Sequence, residues 1–480
     1  MFRNHCGTVV GLMCLLLSAC QTFSPDGGMD LVAGIAGSEL NKDVAALRTP
    51  DAAEAAHVHV RALLRRPLTA DAAVQIALLN NRGLQAAYNE LGIAEAVMVE
   101  ASLPPSPTIA LSAISTPVEL DIERRIIVGI LALVTLEART EIARDRFRQA
   151  QLQATLETLR LAAKVRRAYF RAVAARQLAD FLAEGVSAAE TTAELAKRLD
   201  ESGSMNKLDQ ARDQAFYAEM TAQLGTARQR AESERERLVR AMGLGGSELS
   251  FRLPNALPAL PRRLRSLPAI ETEAVRRRVD LQIARIEVDA LAKSYGLTNA
   301  TRFINLADVS AVSRTQRESS GTHGTGGGGE IELQVPIFDF GEARLRQAGE
   351  TYIQAVNLLA ENAVNVRSQA REAYRLHRSS YDIAKHYRDE VLPQRKIISD
   401  ETMLRYGAMQ IDVFSLLTEA RQRIAANIAA IEAQRDFWLA DANLRAAVVG
   451  GEPALSETET RAKASPAVAQ KNDESEKENR

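Results

Sequence analysis

A chain of 480 residues with 60 Lys plus Arg against 61 Asp plus Glu is long enough for two or three ordinary domains, and it lacks the basic excess of a nucleic-acid binder. Only 5% of its residues are aromatic. Alanine, arginine, glutamate, glutamine and leucine dominate, a mixture that suits long helices and coiled coils better than a compact enzyme core. No Ser/His/Asp, Cys/His or close carboxylate constellation points to catalysis, so no catalytic residue, metal site or cofactor is expected.

At the N-terminus Arg3 supplies one positive charge, residues Val9 to Leu17 are apolar, and Leu17-Ser18-Ala19-Cys20 follows. These are the parts of a secretory signal. The apolar run is too short for a spanning helix, which takes about 20 residues. Leu-Ser-Ala-Cys resembles the lipobox of bacterial lipoproteins, which implies removal of residues 1–19 and acylation of Cys20 as the lipid attachment. Gln21 replaces the aspartate that favours inner-membrane retention in enterobacteria, so the expected address is the outer membrane. Cys6 and Cys14 would leave with the signal peptide, and the mature chain would have neither a disulfide nor a thiolate metal site. Residues 20–68 read as an N-terminal periplasmic segment, in which His57 and His59 form a solvated pair rather than a metal site.

Internal repeats organise the remainder. Glu137-Ala138-Arg139 recurs as Glu342-Ala343-Arg344, and Arg166-Arg167-Ala168-Tyr169 as Arg371-Glu372-Ala373-Tyr374, both at an offset of 205 residues. Arg240-Ala241 ahead of Gly245-Gly246 recurs at the same offset as Arg445-Ala446 ahead of Gly450-Gly451. The expectation is a tandem duplication, with repeats at 69–246 and 267–451, a linker at 247–266 and a disordered, charged tail at 452–480.

Each half begins with a helix, Thr69 to Ala101 and Leu267 to Lys293, the first opened by Thr69 and Asp71 as cap and first-turn residues. Strands are expected at Thr108 to Thr116 and Ile126 to Leu136, and then at Phe303 to Val312 and Glu330 to Val335. Ile331, Leu333 and Val335 share one face of the last strand, and Glu330, Glu332 and Gln334 share the other. A soluble half-buried strand and a barrel strand between lipid and water explain that alternation equally well. The alternation fails in Ile126 to Leu136. The tract from Ser319 to Gly329 has no Gly-Lys-Ser/Thr and reads as a flexible hairpin loop. A long helix follows from Gly341 to Tyr406, with a seam at Leu345, Ala348, Tyr352, Ala355, Leu359, Ala363, Val366, Ala370 and Ala373. About 65 residues at 1.5 Å each make roughly 100 Å of helix. His377 and His386, with Arg375 and Arg378 nearby, read as surface residues.

The order helix, hairpin, long helix, break, helix, given twice, resembles the TolC-type outer-membrane efflux family over roughly Leu68 to Gly451. Leu68-Thr69 to Ala77-Leu78, Asn80-Asn81-Arg82 and Leu84-Gln85-Ala86-Ala87 are similar to its opening helix. Val335-Pro336-Ile337-Phe338-Asp339-Phe340-Gly341 is similar to its strand-to-helix junction, and Arg405-Tyr406-Gly407 with Asp412-Val413-Phe414 to its periplasmic tip. The resemblance implies a mainly α fold with a small transmembrane β part. Three chains would form one 12-stranded β-barrel in the outer membrane, continued by a long α-helical periplasmic barrel. A single chain's two hairpins could not close such a barrel, and open sheet edges are not tolerated in lipid.

The function implied is that of a passive outer-membrane duct in a tripartite efflux system, working with a periplasmic adaptor and an inner-membrane pump. The solutes would be small, heavy-metal ions or drugs among them. A type I protein-secretion duct, a lipidated periplasmic adaptor and a coiled-coil scaffold are the alternatives; an adaptor should show one helical hairpin within a split β domain. Adaptor docking is expected at the two tips, on Gly203, Ser204, Met205, Asn206, Gly407 and Met409, with Gly203 and Gly407 at the reversals. Met205, Met403 and Met409 surround these tips and read as helix-packing filler ahead of adaptable contacts. Asp412 matches the first aspartate of the family's Asp-Val-Leu-Asp gate motif and is the candidate gate. Ser415 replaces the second aspartate and the turn is about three residues shorter, so a helix N-cap competes as its role.

Overall fold

The computed structural model describes residues 23–450 apart from Val118, Ser204, Arg265, Leu267, Ser319 and Ser320, and apart from the side chain of Ser247. The signal segment 1–19, Cys20, the tip residue Ser204 and the tail 452–480 thus lie outside the described residues. The chain divides into two units. The first runs to Val32 and takes in Ala87–Ala154 and Asp280–Ala363; the second holds Ala33–Ala86, Thr155–Val279 and the chain from Val364 onward.

After α1 (Asp30–Leu40) and α2 (Pro50–Leu64), one order of elements occurs twice. First come α3 (Ala70–Asn80), α4 (Arg82–Ser102), β1 (Thr108–Ser115), β2 (Glu119–Gly129), α5 (Leu136–Glu201) and α6 (Lys207–Met242). Then come α7 (Ile270–Arg277), α8 (Val279–Ala300), β3 (Leu306–Glu318), β4 (His323–Gln334), α9 (Glu342–His386), α10 (Leu392–Gly407) and α11 (Val413–Val449).

The opening helix of each half is broken where the sequence pattern predicts continuity. Asn81 leaves the helix at ψ 115. Its side-chain oxygen then accepts the Leu84 backbone N–H at 3.1 Å, which caps α4, while its amide donates to the Ala241 carbonyl at 3.0 Å. Arg278 makes the matching break at ψ 122. It is buried, and its guanidinium donates to Gln369 at 2.7 Å. Thr69 caps α3 as expected, accepting the Ala72 N–H at 3.1 Å. The long helix expected from Gly341 to Tyr406 is also interrupted, by a wide turn at Tyr387–Val391 just before Pro393. Pro393 has no N–H, and its ring would clash with the Asp389 carbonyl in an ordinary helix; the wider turn, with the Leu392 N–H on the Tyr387 carbonyl, removes that conflict.

The seam predicted along α9 is present. Leu345 to Ala363 are half-buried at every seam position, and Val366, Ala370 and Ala373 are fully buried. The same three- and four-residue steps continue through His377, Ser380, Tyr381 and Ala384. His377 is therefore a buried residue, not a surface one, with its Nε2 3.5 Å from Asp441.

In the second unit, α5, α6 and α11 share a core built on Leu182, Phe216, Met220, Leu224 and Leu417. A second cluster places Phe437 among Tyr381, Ala384 and Leu260. The Tyr169 hydroxyl donates to the Leu68 carbonyl at 3.0 Å, and burial pushes its phenol up to about 12. The irregular stretch 41–48 is held by two glutamines. Gln75 accepts from the Asp43 N–H and donates to the Asp43 carbonyl, while Gln85 accepts from Leu47 and donates to Ala45. Both ends of each amide are satisfied, as a paired strand would satisfy them.

Candidate functional sites: sheet faces, helix turns and Asp412

The four strands form one antiparallel sheet in the order β1-β2-β3-β4, with β1 and β4 at its edges. Two sequence expectations are corrected here. β2 ends at Gly129, and residues from Ile130 to Val134 form a helical turn, so the failed alternation in Ile126 to Leu136 came from reading helix as strand. Gly324 to Gly329 are not a flexible loop; they lie within β4 and pair with Gln316 to Ala311 of β3. Glycine has little β preference of its own, and the ladder of the neighbouring strand decides its state.

Register assigns every side chain to a face, because neighbours along a strand alternate. One face carries Ile109, Leu111, Ala113, Ile122, Ile126, Val128, Val309, Ala311, Ile331 and Leu333. Ile109 and Leu111 are 76% and 71% exposed and Ile331 is 71% exposed, which a water-facing sheet would not favour. The opposite face carries Asp121, Glu123, Arg125, Asp308, Arg314, Glu330 and Glu332, with Ile114, Ile127, Leu306 and Val312 as apolar exceptions. Its arginines are paired: Arg125 with Glu123 at 2.9 Å and Glu330 at 3.0 Å, and Arg314 with Asp121.

The two tips are reversed by different residues. At the first, Gly203 has φ +74 and its N–H donates to the Asp200 carbonyl. Asn206 then caps α6, accepting the Asp209 N–H at 2.9 Å, and Met205 donates its N–H to the Leu199 carbonyl. At the second, the reversal expected of Gly407 falls on Met409. Gly407 ends α10 in helical geometry, while Met409 takes φ +61. The Met409 N–H donates to the Tyr406 carbonyl and the Gln410 N–H to the Arg405 carbonyl, the two bonds of a Schellman stop. The Met409 side chain is 95% exposed. The tips are neighbours, with the Arg212 guanidinium 5.0 Å from the centre of the Phe414 ring.

Asp412 is the N-cap of α11. It accepts the Ser415 N–H at 2.9 Å and the Ser415 hydroxyl at 2.6 Å. Those bonds, with the nearby charge of Arg212, hold its carboxyl below the usual range. Ser415 is thus the partner that completes the cap.

Sequence reasoning missed the buried acids behind the tips. Asp213 is 2% exposed and its Oδ1 has no hydrogen-bond partner among the described residues; burial, then the charge of Asp209, pushes its carboxyl up. Glu419 is buried beside Arg395 at 3.3 Å. The signal was in the pattern, since Asp213, Phe216, Met220 and Leu224 share one helical stripe. His57 lies 4.0 Å from Glu248, and no group of three or more His, Cys, Asp or Glu suited to a metal occurs among the described residues. No helix among them is long and apolar enough to cross a membrane.

No family model and no curated protein matches the sequence. Solved structures do match. The outer membrane protein VceC of Vibrio cholerae aligns at a TM-score of 0.66 and 16% identity, over 80% of this chain and 96% of that one. The CmeC outer membrane channel of Campylobacter jejuni aligns at 0.65 and 14% identity, over 82% and 88%. The MtrE outer membrane channel of Neisseria gonorrhoeae, solved in an open state, aligns at 0.64 and 18% identity, over 79% and 88%. The chain has the fold of TolC-type outer-membrane channels.

Proposed function

We propose that this protein is the outer-membrane duct of a tripartite efflux system, passing small solutes from the periplasm or a pump to the exterior without chemistry of its own. The observation that carries this reading is the division of the sheet into an apolar face and a charged face with two open edges. Open edges in lipid leave backbone groups unsatisfied, and closure removes them. Three copies, β4 of one against β1 of the next, would close a 12-stranded barrel with Ile109, Leu111, Ile331 and Leu333 toward lipid and the paired charges toward water. The long helices of the three copies would form the periplasmic tunnel, and the chain would be a tandem duplication. The adaptor reading fares worse, because it needs one helical hairpin, and here a strand pair is followed by a long helix and its return twice.

In this reading Cys20 carries the lipid as a second attachment. The exposed tips around Gly203, Met205, Asn206, Gly407 and Met409 meet a periplasmic adaptor, and three Asp412 carboxylates ring the axis as a gate while capping α11. The test is oligomeric mass in detergent together with single-channel conductance in planar bilayers. A trimer that conducts is expected; a monomer, or a silent bilayer with inner-membrane fractionation, would overturn the duct.

A further inference from the structure

The apolar face of the sheet carries three cations, two beside the hairpin loop and one at the middle of β2. Arg317 of β3 and His323 of β4 face each other in register beside the hairpin loop, and Arg124 of β2 lies opposite Ser313, four residues further from that loop. All three share the face of Ile109 and Ile331. Arg124 and Arg317 are exposed, and neither has a carboxylate partner among the described residues. Arg125 and Arg314 on the opposite face differ, because each is bound to carboxylates of the sheet, Arg125 to Glu123 and Glu330 and Arg314 to Asp121.

The direction of Arg124 adds a second observation. Its guanidinium donates to the Thr315 hydroxyl at 3.3 Å, and Thr315 lies two residues loopward of Ser313, the register partner of Arg124. The side chain therefore leans along the strand toward Arg317 and His323. A cation on the lipid side of a barrel is costly at mid-depth and cheap near the interface, and a long side chain relieves the cost by reaching for the headgroup level. Hydroxyls of Ser313, Thr315 and Thr325 stand on the same face between the two arginines.

We propose that Arg124 and Arg317, with His323, form an outward docking surface for a phosphate-bearing glycolipid of the outer leaflet. The inference rests on the barrel reading above. Helices join the strands at the end opposite the hairpin loops, so the loop end is the exterior end and the lipid of that leaflet is the occupant. Arginine binds phosphate oxygens through two parallel N–H donors, and the seryl and threonyl hydroxyls supply further donors. The lipid's acyl chains would lie below, against Ile126, Val309 and Ile331.

The test uses the full-length lipidated protein purified in detergent, with native mass spectrometry after addition of diphosphorylated lipid A, its dephosphorylated form or phosphatidylglycerol. The wild type is expected to retain the diphosphorylated glycolipid at least tenfold better than the Arg124→Gln/Arg317→Gln variant, with Arg124→Lys/Arg317→Lys restoring most of the difference. Dephosphorylated lipid should be retained weakly and equally by all three. Equal retention by wild type and the glutamine variant would overturn the proposal, as would phosphatidylglycerol held as well as the glycolipid. Conductance measured on the same preparations separates the two ideas. Proteins that conduct alike but fail to discriminate the lipids refute the docking surface alone, while proteins that neither trimerise nor conduct refute the barrel and the surface together.

Discussion

The two halves share an order of elements but not the means of building it. In the first half the long helix α5 runs unbroken through 66 residues and is reversed by a glycine, Gly203. In the second, Pro393 forces a wide turn between α9 and α10, and a methionine makes the reversal. The strand-to-helix junction differs in the same way. Gly341 has φ +75, and a Cβ there would collide with the Arg302 carbonyl, whereas the position 205 residues earlier is Leu136, at the start of α5. One outline is thus reached through different local constraints, and the second half holds the stricter ones.

That comparison can be broken most severely at the junction. Gly341→Ala should cost about 3 kcal/mol or more, through a backbone collision added to an unfavourable φ, while Leu136→Ala should cost far less. Chemical denaturation of the two variants measures the difference, and equal losses would remove the asymmetry. A second contrast lies between the tyrosines of the repeated motif. Tyr169 is buried and bound to Leu68, whereas Tyr374 is half-buried with Arg378 beside it. Tyr169→Phe leaves a buried carbonyl without its donor and should cost about 1–3 kcal/mol, with Tyr374→Phe costing clearly less in the same experiment.

The third contrast is read through pH. Because burial raises the Asp213 carboxyl above its usual 3.8, its protonated form is favoured in the fold. Its contribution is fully present below 3.8 and is lost as pH rises through the raised folded value. Asp213→Asn should therefore be more stable than wild type at neutral pH, with the advantage shrinking to nothing in acid. Unfolding curves across that range check the sign, and a constant difference would show that desolvation is not the cause. The smallest expected effect is at the tips. Met409→Gly should gain about 1 kcal/mol by relieving a left-handed non-glycine residue, and Gly203→Ala should lose a similar amount; a thermal shift of the same sign for both would contradict the assignment of the two reversals.

Much of this was legible in the sequence because helices write themselves at fixed spacing. The α9 seam from Leu345 to Ala373, the Thr69 cap and the alternation around Ile331 all follow from period and side-chain type. His377 sits on the α9 seam and Asp213 on the α6 stripe of Phe216, Met220 and Leu224, and only their polarity hides them. The glycines of β4 have no side chains with which to show a period, so only the ladder with β3 reveals them as strand. Pro393 was visible in the sequence, but whether a proline ends, kinks or widens a helix is decided by what packs on it. The reversal at Met409 is not legible in the sequence, because Gly407, two residues earlier, has the residue type that a left-handed position favours.

In the proposed barrel one sheet face meets lipid and the other meets water. That division is tested most directly by spin labels placed singly at Ile331 and Glu332 in protein reconstituted into liposomes, with collisional access of oxygen and of a water-soluble nickel chelate measured at each. The label at 331 is expected to collide with oxygen and be shielded from nickel, and the label at 332 to do the reverse. Labels at both positions equally open to nickel would place the whole sheet in water and contradict the barrel.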